Sequence, residues 1–338
     1  MNNRLFRWVA CHQVAAFFII TFLITWGLGF SYKAVGAGKY LVLPLMFTAT
    51  CGPALAGVIV ACISGIKRPS VKRRGAWIAF IISWIIVTLV FILNHLFVNK
   101  GQISTPLIVL VAISSLPVAF VVNMVYTRFP VVRGFTLSPQ RSAVTPVWTI
   151  TALLLFPLLT IIAVLISGLK NHEMPSLSAL PATGFSLVVW IIIKFLSQFF
   201  FFNGTGEEAG WRGFALPRLQ AHVSPLVAGL ILALLWVPWH FFLWSGEGKP
   251  ILTLSFWVSS YLLHIPSAII LCWIYNRSRG SILLAGIAHA SANTVVALFQ
   301  SFDQNIMVIT FFVFVVVIVL FDRMWKRLPD SHPAVYKA

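Results

Sequence analysis

The segment Gly204-Thr-Gly-Glu-Glu-Ala-Gly-Trp-Arg-Gly213 places two adjacent carboxylates between two long apolar runs. The whole chain of 338 residues has only seven Asp and Glu, so this pair needs a physical reason. Burying one ionised carboxylate in hydrocarbon costs roughly 3 kcal/mol or more. On a helix, Arg212 lies four residues after Glu208 on the same face and can neutralise it. Glu207 then lies on a different face and remains available for chemistry.

The apolar runs on either side of this segment decide the fold class. The chain is 59% hydrophobic and 9% charged, and its apolar runs approach twenty residues without period-two alternation. Only helices or closed barrels satisfy the backbone in lipid, so an all-α polytopic membrane protein is predicted. About ten transmembrane helices are expected, near residues 12–31, 41–65, 76–98, 104–126, 146–168, 183–203, 225–245, 251–275, 281–300 and 305–321.

The net charge of +17 would indicate nucleic-acid binding in a soluble protein. Here the cations lie in short loops between apolar runs, so they indicate membrane topology and contacts with anionic lipids, not nucleic acid. Their unequal distribution between alternate loops predicts a multi-pass protein of the cell membrane with both termini in the cytoplasm. We divide the chain into a supporting bundle, a working core that holds the polar motifs, and a last helix with a basic tail, at 1–182, 183–300 and 301–338.

Two histidine motifs follow the acidic segment. The first, Trp236-Val-Pro-Trp-His240, ends an apolar run, and Pro238 is expected to open the helix just before the imidazole. In the second, His289 and Asn293 are four residues apart and share one helix face. The small residues around them predict close packing against another helix. His264, which lies in the apolar run between the two motifs, is interpreted as a core histidine.

Together these residues could hydrolyse a peptide bond with an activated water. A carboxylate and an imidazole, Glu207 and His240, can hold and deprotonate a water. A second imidazole and a carboxamide, His289 and Asn293, can donate hydrogen bonds to the oxyanion that forms. Two histidines and one glutamate also match a catalytic zinc set, which would use Glu207, His240 and His289. The HExxH helix that is usual in such zinc proteases is absent from the sequence.

The order Glu-Glu-x-x-x-Arg, aromatic-x-x-x-His, His-x-x-x-Asn resembles the motifs of the CPBP family. These are the CAAX-prenyl-protease and bacteriocin-processing-like intramembrane proteases, related to the type II CAAX prenyl endopeptidase. The resemblance covers about residues 183–300. It is close in the stretch Glu207-Glu-Ala-Gly-Trp-Arg-Gly-Phe214. One departure is Trp236, because the family usually has Phe at that position; an aromatic ring is kept.

The resemblance implies roles for the polar residues of the three motifs. The family uses a catalytic carboxylate that acts on water with a histidine, a supporting Glu and Arg, and a His/Asn oxyanion site. Carried over to this chain, these are Glu207 with His240, Glu208 with Arg212, and His289 with Asn293. Family members are commonly labelled metalloproteases, but the resemblance also permits a metal-free glutamate mechanism, and we expect no tightly bound zinc.

The sequence therefore predicts an intramembrane endopeptidase that cuts a membrane-associated protein or peptide near the cytoplasmic face. One alternative is a non-catalytic scaffold, or an immunity or regulatory protein of the same fold. Another is a transporter that uses Glu207 and the histidines as a proton relay. No two-half symmetry is evident in the sequence to support the transporter.

Overall fold

The computed structural model describes residues 4–34, 39–65, 73–98, 103–128, 145–172, 186–202, 204–246, 248–299 and 302–336. Its regular elements are helices, which confirms the all-α class. They are α1 Arg4–Cys11, α2 Gln13–Ala34, α3 Lys39–Thr50, α4 Gly52–Ile63, α5 Arg73–Val98, α6 Thr105–Arg128, α7 Thr145–Asn171, α8 Leu187–Ser197, α9 Glu208–Gly210, α10 Leu216–Gln220, α11 Pro225–Trp239, α12 Phe241–Gly246, α13 Leu254–Arg277, α14 Ile282–Val296 and α15 Gln304–Phe321. Two π-helical turns, Gln198–Phe202 and Trp211–Ala215, follow α8 and α9.

Seven helices within the described ranges are long and apolar enough to cross a membrane. These segments are Gln13–Ser31, Trp77–Leu96, Thr105–Asn123, Pro146–Asn171, Pro225–Ser245, Leu254–Arg277 and Gln304–Phe321. The other three predicted spans fall on shorter apolar helices, which include Gly52–Ile63, Leu187–Phe200 and Ile282–Val296. The protein is thus an integral multi-pass membrane protein. The total of ten spans and the cytoplasmic position of both termini stay predictions.

The span predicted at 41–65 is divided into two helices, α3 and α4, at Cys51. Pro53 lies in the first turn of α4, where a missing amide donor costs nothing. Pro53 has no amide hydrogen to donate to the Ala49 carbonyl, which accepts from the Thr25 hydroxyl at 2.9 Å instead. The helical hydrogen-bond pattern is therefore interrupted at a point that hydropathy alone does not reveal.

The chain forms two compact units, which we describe separately. The first contains Met1–Ser138 and Pro181–Ala215; there α2 packs against α3 and α4, α5 packs against α6, and α9 packs against α4. The second contains Pro139–Leu180 and Leu216–Ala338; there α11 packs against α13, and α7 packs against α14 and α15. The acidic segment belongs to the first unit and both histidine motifs belong to the second. The functional division at residues 182 and 300 stays a prediction.

The acidic segment lies directly against the α3–α4 junction, and its glycines allow this close approach. A Cβ built on Gly210 would lie 2.4 Å from atoms of Pro53, and one on Gly206 would lie 2.9 Å from the Thr50 carbonyl oxygen. The Ala54 amide donates a hydrogen bond of 3.1 Å to the Gly206 carbonyl. The backbone of the acidic segment therefore contacts the backbone of the α3–α4 junction directly, and only glycine fits at these positions.

Aromatic side chains hold the other side of the segment. The Trp211 ring meets Phe17 of α2 edge-on, with ring centroids 5.6 Å apart, and the Phe214 ring stacks on the same Phe17 at 5.2 Å. All three side chains are buried. Such ring pairs contribute about 0.5–1.5 kcal/mol each beyond the area they bury. The segment is therefore fixed between α2 and α4.

We expect Gly210→Ala to lower the free energy of unfolding by about 2 kcal/mol, because the new methyl group overpacks against Pro53. Denaturant titration of the purified protein in mixed micelles measures this change. Gly27→Ala is the matched control, since nothing lies within 4 Å of a Cβ at this helical glycine. Equal effects of the two substitutions would show that the contact at 210 is not tight.

Candidate active site

The acidic segment contains a fully buried ion pair. Arg212 donates from Nη1 to Glu208 Oε1 at 2.8 Å, and both side chains are completely shielded from solvent. The pair predicted from the i, i+4 spacing is therefore confirmed. Removing one partner of such a buried pair typically costs about 3–5 kcal/mol, because it leaves an uncompensated charge. Both side chains are therefore needed for the stability of the acidic segment.

Glu207 lies immediately before α9 and is 2% exposed. Its carbonyl accepts the amides of Gly210 at 3.0 Å and Trp211 at 2.9 Å, so its backbone starts the helix. Its carboxylate does not cap that helix. The π-helical turn Trp211–Ala215 follows directly, and such turns are frequent at functional sites.

Three imidazoles surround the indole of Trp236 in the second unit. The Trp236 ring centroid lies 5.5 Å from that of His240, 5.1 Å from His264 and 5.1 Å from His289. The His240 and His264 rings are themselves 5.2 Å apart, and the indole of Trp244 stacks on His240 at 5.0 Å. The two motif histidines predicted from the sequence are thus brought together, with Trp236 as their common partner.

Backbone carbonyls orient two of these imidazoles. His240 Nδ1 lies 2.9 Å from the Trp236 carbonyl oxygen, and His264 Nδ1 lies 2.7 Å from the Ser260 carbonyl oxygen. A carbonyl only accepts, so each Nδ1 carries the hydrogen and donates it. In the neutral ring the Nε2 atom then holds a lone pair, which suits it to accept a proton or to bind a metal ion.

The helix α14 carries His289 and Asn293 on one face, four residues apart. His289 is 5% exposed, while Ala288 and Ala290 are fully buried. The Ser291 hydroxyl donates at 3.1 Å to the Ala152 carbonyl of α7, against which α14 packs. The close helix packing predicted from the small residues is confirmed, and it fixes the face that presents the histidine and the asparagine.

Pro238 shapes the end of α11 as the sequence predicted, since this helix ends at Trp239 and His240 follows as its C-cap. A proline has no amide hydrogen, so the Leu234 carbonyl loses its helical donor. The Tyr261 hydroxyl of α13 donates to that carbonyl at 3.3 Å. A side chain from a neighbouring helix thus replaces the hydrogen bond that the proline removes.

His264 is the third imidazole of this cluster. Its ring contacts with Trp236, Trp244 and His240 and its hydrogen bond to the Ser260 carbonyl agree with its interpretation as a core histidine. The sequence does not predict that it lies beside the two motif histidines, because it belongs to a different helix from either of them. An ionisable side chain inside an apolar span is nevertheless a candidate functional residue.

The convergence of Glu207 on His240 and His289 stays a prediction, since the carboxylate and the imidazoles belong to different units. Among the described residues, no group of three or more His, Cys, Asp or Glu side chains is arranged to hold a metal ion. The zinc alternative therefore rests on the residue types and on the orientation of His240.

Comparisons with known proteins show what the part of the chain that contains the acidic segment and the clustered histidines is similar to. Residues 184–295 match the family model described as type II CAAX prenyl endopeptidase Rce1-like. This range contains the acidic segment and both histidine motifs. This part of the chain is therefore similar to a family of intramembrane proteases, in agreement with the resemblance drawn from the three motifs.

One similar curated protein is CAAX prenyl protease 2 of Methanococcus maripaludis. It is 35% identical over 94 residues, which are 26% of this chain and 35% of that relative. The chain thus spans about a third of the length of the curated relative that it matches.

We expect Tyr261→Phe to lower the free energy of unfolding by about 0.6 kcal/mol, the average for a hydrogen bond between membrane helices. In a Pro238→Ala background the same substitution should cost close to nothing, because the restored amide at 238 satisfies the Leu234 carbonyl. A double-mutant cycle by denaturant titration in mixed micelles measures the difference. An identical cost in both backgrounds would show that Tyr261 does not replace the missing bond.

Proposed function

We propose that this chain is an intramembrane endopeptidase that hydrolyses a peptide bond in a membrane-associated protein or peptide near the cytoplasmic face. The observation that carries the proposal is the His240 imidazole, held by its Nδ1 hydrogen bond within an aromatic cluster of the range that matches the Rce1-like family model. The same matched range includes the buried Glu207 carboxylate.

Glu207 and His240 would activate the water. Glu207 takes a proton from the water as it attacks the peptide carbonyl, and it returns the proton to the leaving amine. The Nε2 lone pair of His240 accepts the other hydrogen of that water and orients it. Because the Trp236 carbonyl fixes the opposite side of the ring, the imidazole does not need to reorganise during the step.

The pair Glu208–Arg212 would support Glu207. Two adjacent ionised carboxylates repel one another, which disfavours the charged form of both. Arg212 neutralises Glu208 at 2.8 Å, so Glu207 can be ionised without a like charge beside it. The buried pair also fixes the backbone from which the Glu207 side chain projects.

His289 and Asn293 would form the oxyanion site. An imidazole N–H and a carboxamide NH₂ both donate hydrogen bonds, and on α14 they project from the same face. Donors that are already in place when the negative charge develops on the carbonyl oxygen lower the barrier by about 3–4 kcal/mol for each donor. The close packing of α14 on α7 supports this fixed placement.

We expect Glu207→Gln to abolish cleavage, with a loss of at least about 10²-fold, because a carboxamide cannot accept the water proton. Membranes that carry wild-type protein and Glu207→Gln are compared by proteomics for a peptide whose cut form disappears. Expression of the variant should be unchanged. If Glu207→Gln cleaved the peptide as fast as the wild type, the carboxylate would have no part in the mechanism.

Two further experiments address the zinc mechanism and the scaffold alternative. Purified enzyme is treated with a zinc chelator and then resupplied with zinc; lost and regained cleavage would favour a metal held by Glu207, His240 and His289. Complementation by Glu207→Gln distinguishes an enzyme from a scaffold, because a non-catalytic protein of this fold would still rescue its phenotype.

We expect His264→Phe to slow cleavage of the peptide identified in this way by about tenfold in kcat, with little change in KM. Phenylalanine keeps a ring against Trp236 and Trp244 but lacks the nitrogen atoms. Partial recovery in His264→Gln, which restores a polar side chain, would indicate that a nitrogen at this position matters. Full activity of His264→Phe would leave His264 with a packing role only.

A further inference from the structure

A cavity of about 230 Å³ lies in the second unit, away from the histidine cluster. It is lined by the last turn of α13, the end of α15, the segment that follows α15 and Pro225 at the start of α11. Its polar lining includes Arg277, Asp322, Lys326 and His332, with Trp273 and Met324 among its apolar walls. None of these residues has a role in the proposed hydrolysis.

The cavity lies where two candidate membrane spans end. Leu254–Arg277 ends at Arg277, and Gln304–Phe321 ends one residue before Asp322. Trp325, just beyond the second of these span ends, is 48% exposed. Tryptophan at a span end is typical of the level of the lipid headgroups. The mouth of the cavity is therefore expected at the depth where lipid phosphates lie.

Hydrogen-bond donors predominate in the cavity. Its one carboxylate, Asp322, already accepts from the Arg277 guanidinium, with Nε at 2.6 Å, and from the Trp273 indole. Lys326 adds an exposed ammonium group. The lining therefore carries a net positive charge, and its acceptor is already engaged, which favours an anionic ligand.

His332 contributes a further donor. The Ala334 amide donates to His332 Nδ1 at 3.1 Å, so a neutral ring carries its hydrogen on Nε2. Burial, with a smaller contribution from the charge of Arg279, holds the pKa of His332 below its usual range. The ring is thus neutral at pH 7, and Nε2 is a hydrogen-bond donor.

The wall formed by the segment after α15 is held in place by contacts with the α10–α11 region. Arg327 donates to the Ala221 carbonyl at 2.6 Å, and Gln220 donates to the Ala334 carbonyl at 2.8 Å. The Arg218 guanidinium lies 4.2 Å from the centre of the Tyr336 ring. These contacts mean that the cavity is formed before a ligand arrives, which lowers the entropic cost of binding.

We propose that this cavity binds a phosphate ester, supplied by the headgroup of an anionic phospholipid. Lys326 and Arg277 provide the charge, His332 in the lining provides an N–H donor, and the position at the span ends brings lipid phosphates to the opening. Basic pockets between membrane helices bind phosphate headgroups by this combination of charge and location.

The test uses the full chain purified in detergent. Thermal unfolding is followed while dioleoylphosphatidylglycerol, dioleoylphosphatidylcholine or soluble glycerol 1-phosphate is added, since a ligand that binds the folded state raises the midpoint. Lys326→Gln removes the cavity ammonium. Lys249→Gln is the matched control, because Lys249 is an exposed lysine in the loop before the other end of α13.

We expect phosphatidylglycerol to stabilise the wild type at lower concentration than phosphatidylcholine does. Lys326→Gln should weaken the apparent affinity for phosphatidylglycerol about fivefold, the value for one basic residue near a membrane surface, while Lys249→Gln leaves it unchanged. An equal response to glycerol 1-phosphate would assign the site to soluble phosphate esters. Equal losses in both lysine variants, or no preference for phosphatidylglycerol in the wild type, would overturn the proposal.

Discussion

The buried ion pair between Glu208 and Arg212 shows the constraint on which the rest of the structure depends. Polar groups inside hydrocarbon have no water to bond with, so the chain must satisfy them itself. The same rule accounts for the Nδ1 hydrogen bonds of His240 and His264 to carbonyls four residues earlier. Each interaction that satisfies a polar group also fixes its orientation, and a fixed orientation is what a catalytic group requires.

Close backbone packing holds the acidic segment as firmly as its charges do. At Gly210 the segment touches Pro53 at a distance that no side chain tolerates, and Phe17 packs against two of its aromatic rings. The motif is therefore not only a set of catalytic candidates. Its glycines and aromatics also hold the backbone of Glu207 against the α3–α4 junction.

The cationic character of the chain has a structural role at the ends of its spans. Arg277, the last residue of α13, donates hydrogen bonds to Asp322, which follows α15. Arg327, in the next segment, donates to the Ala221 carbonyl. These contacts join elements that lie far apart in sequence. Basic residues of the kind that indicate topology and lipid contact in the sequence thus also line a defined cavity.

The sequence by itself determined the helical membrane class, the Glu208–Arg212 pair and the shared face of His289 and Asn293. These follow from the apolar content and from the helical period, which are local properties of the chain. Only the tertiary structure decided that Trp236 contacts three imidazoles, that His264 is one of them and that Tyr261 bonds the Leu234 carbonyl. Those contacts join different helices, and no pattern within one helix specifies which neighbour it packs against. The division of the span at 41–65 does not follow from the sequence for a related reason, because hydropathy records how apolar a segment is and not where one helix ends and the next begins.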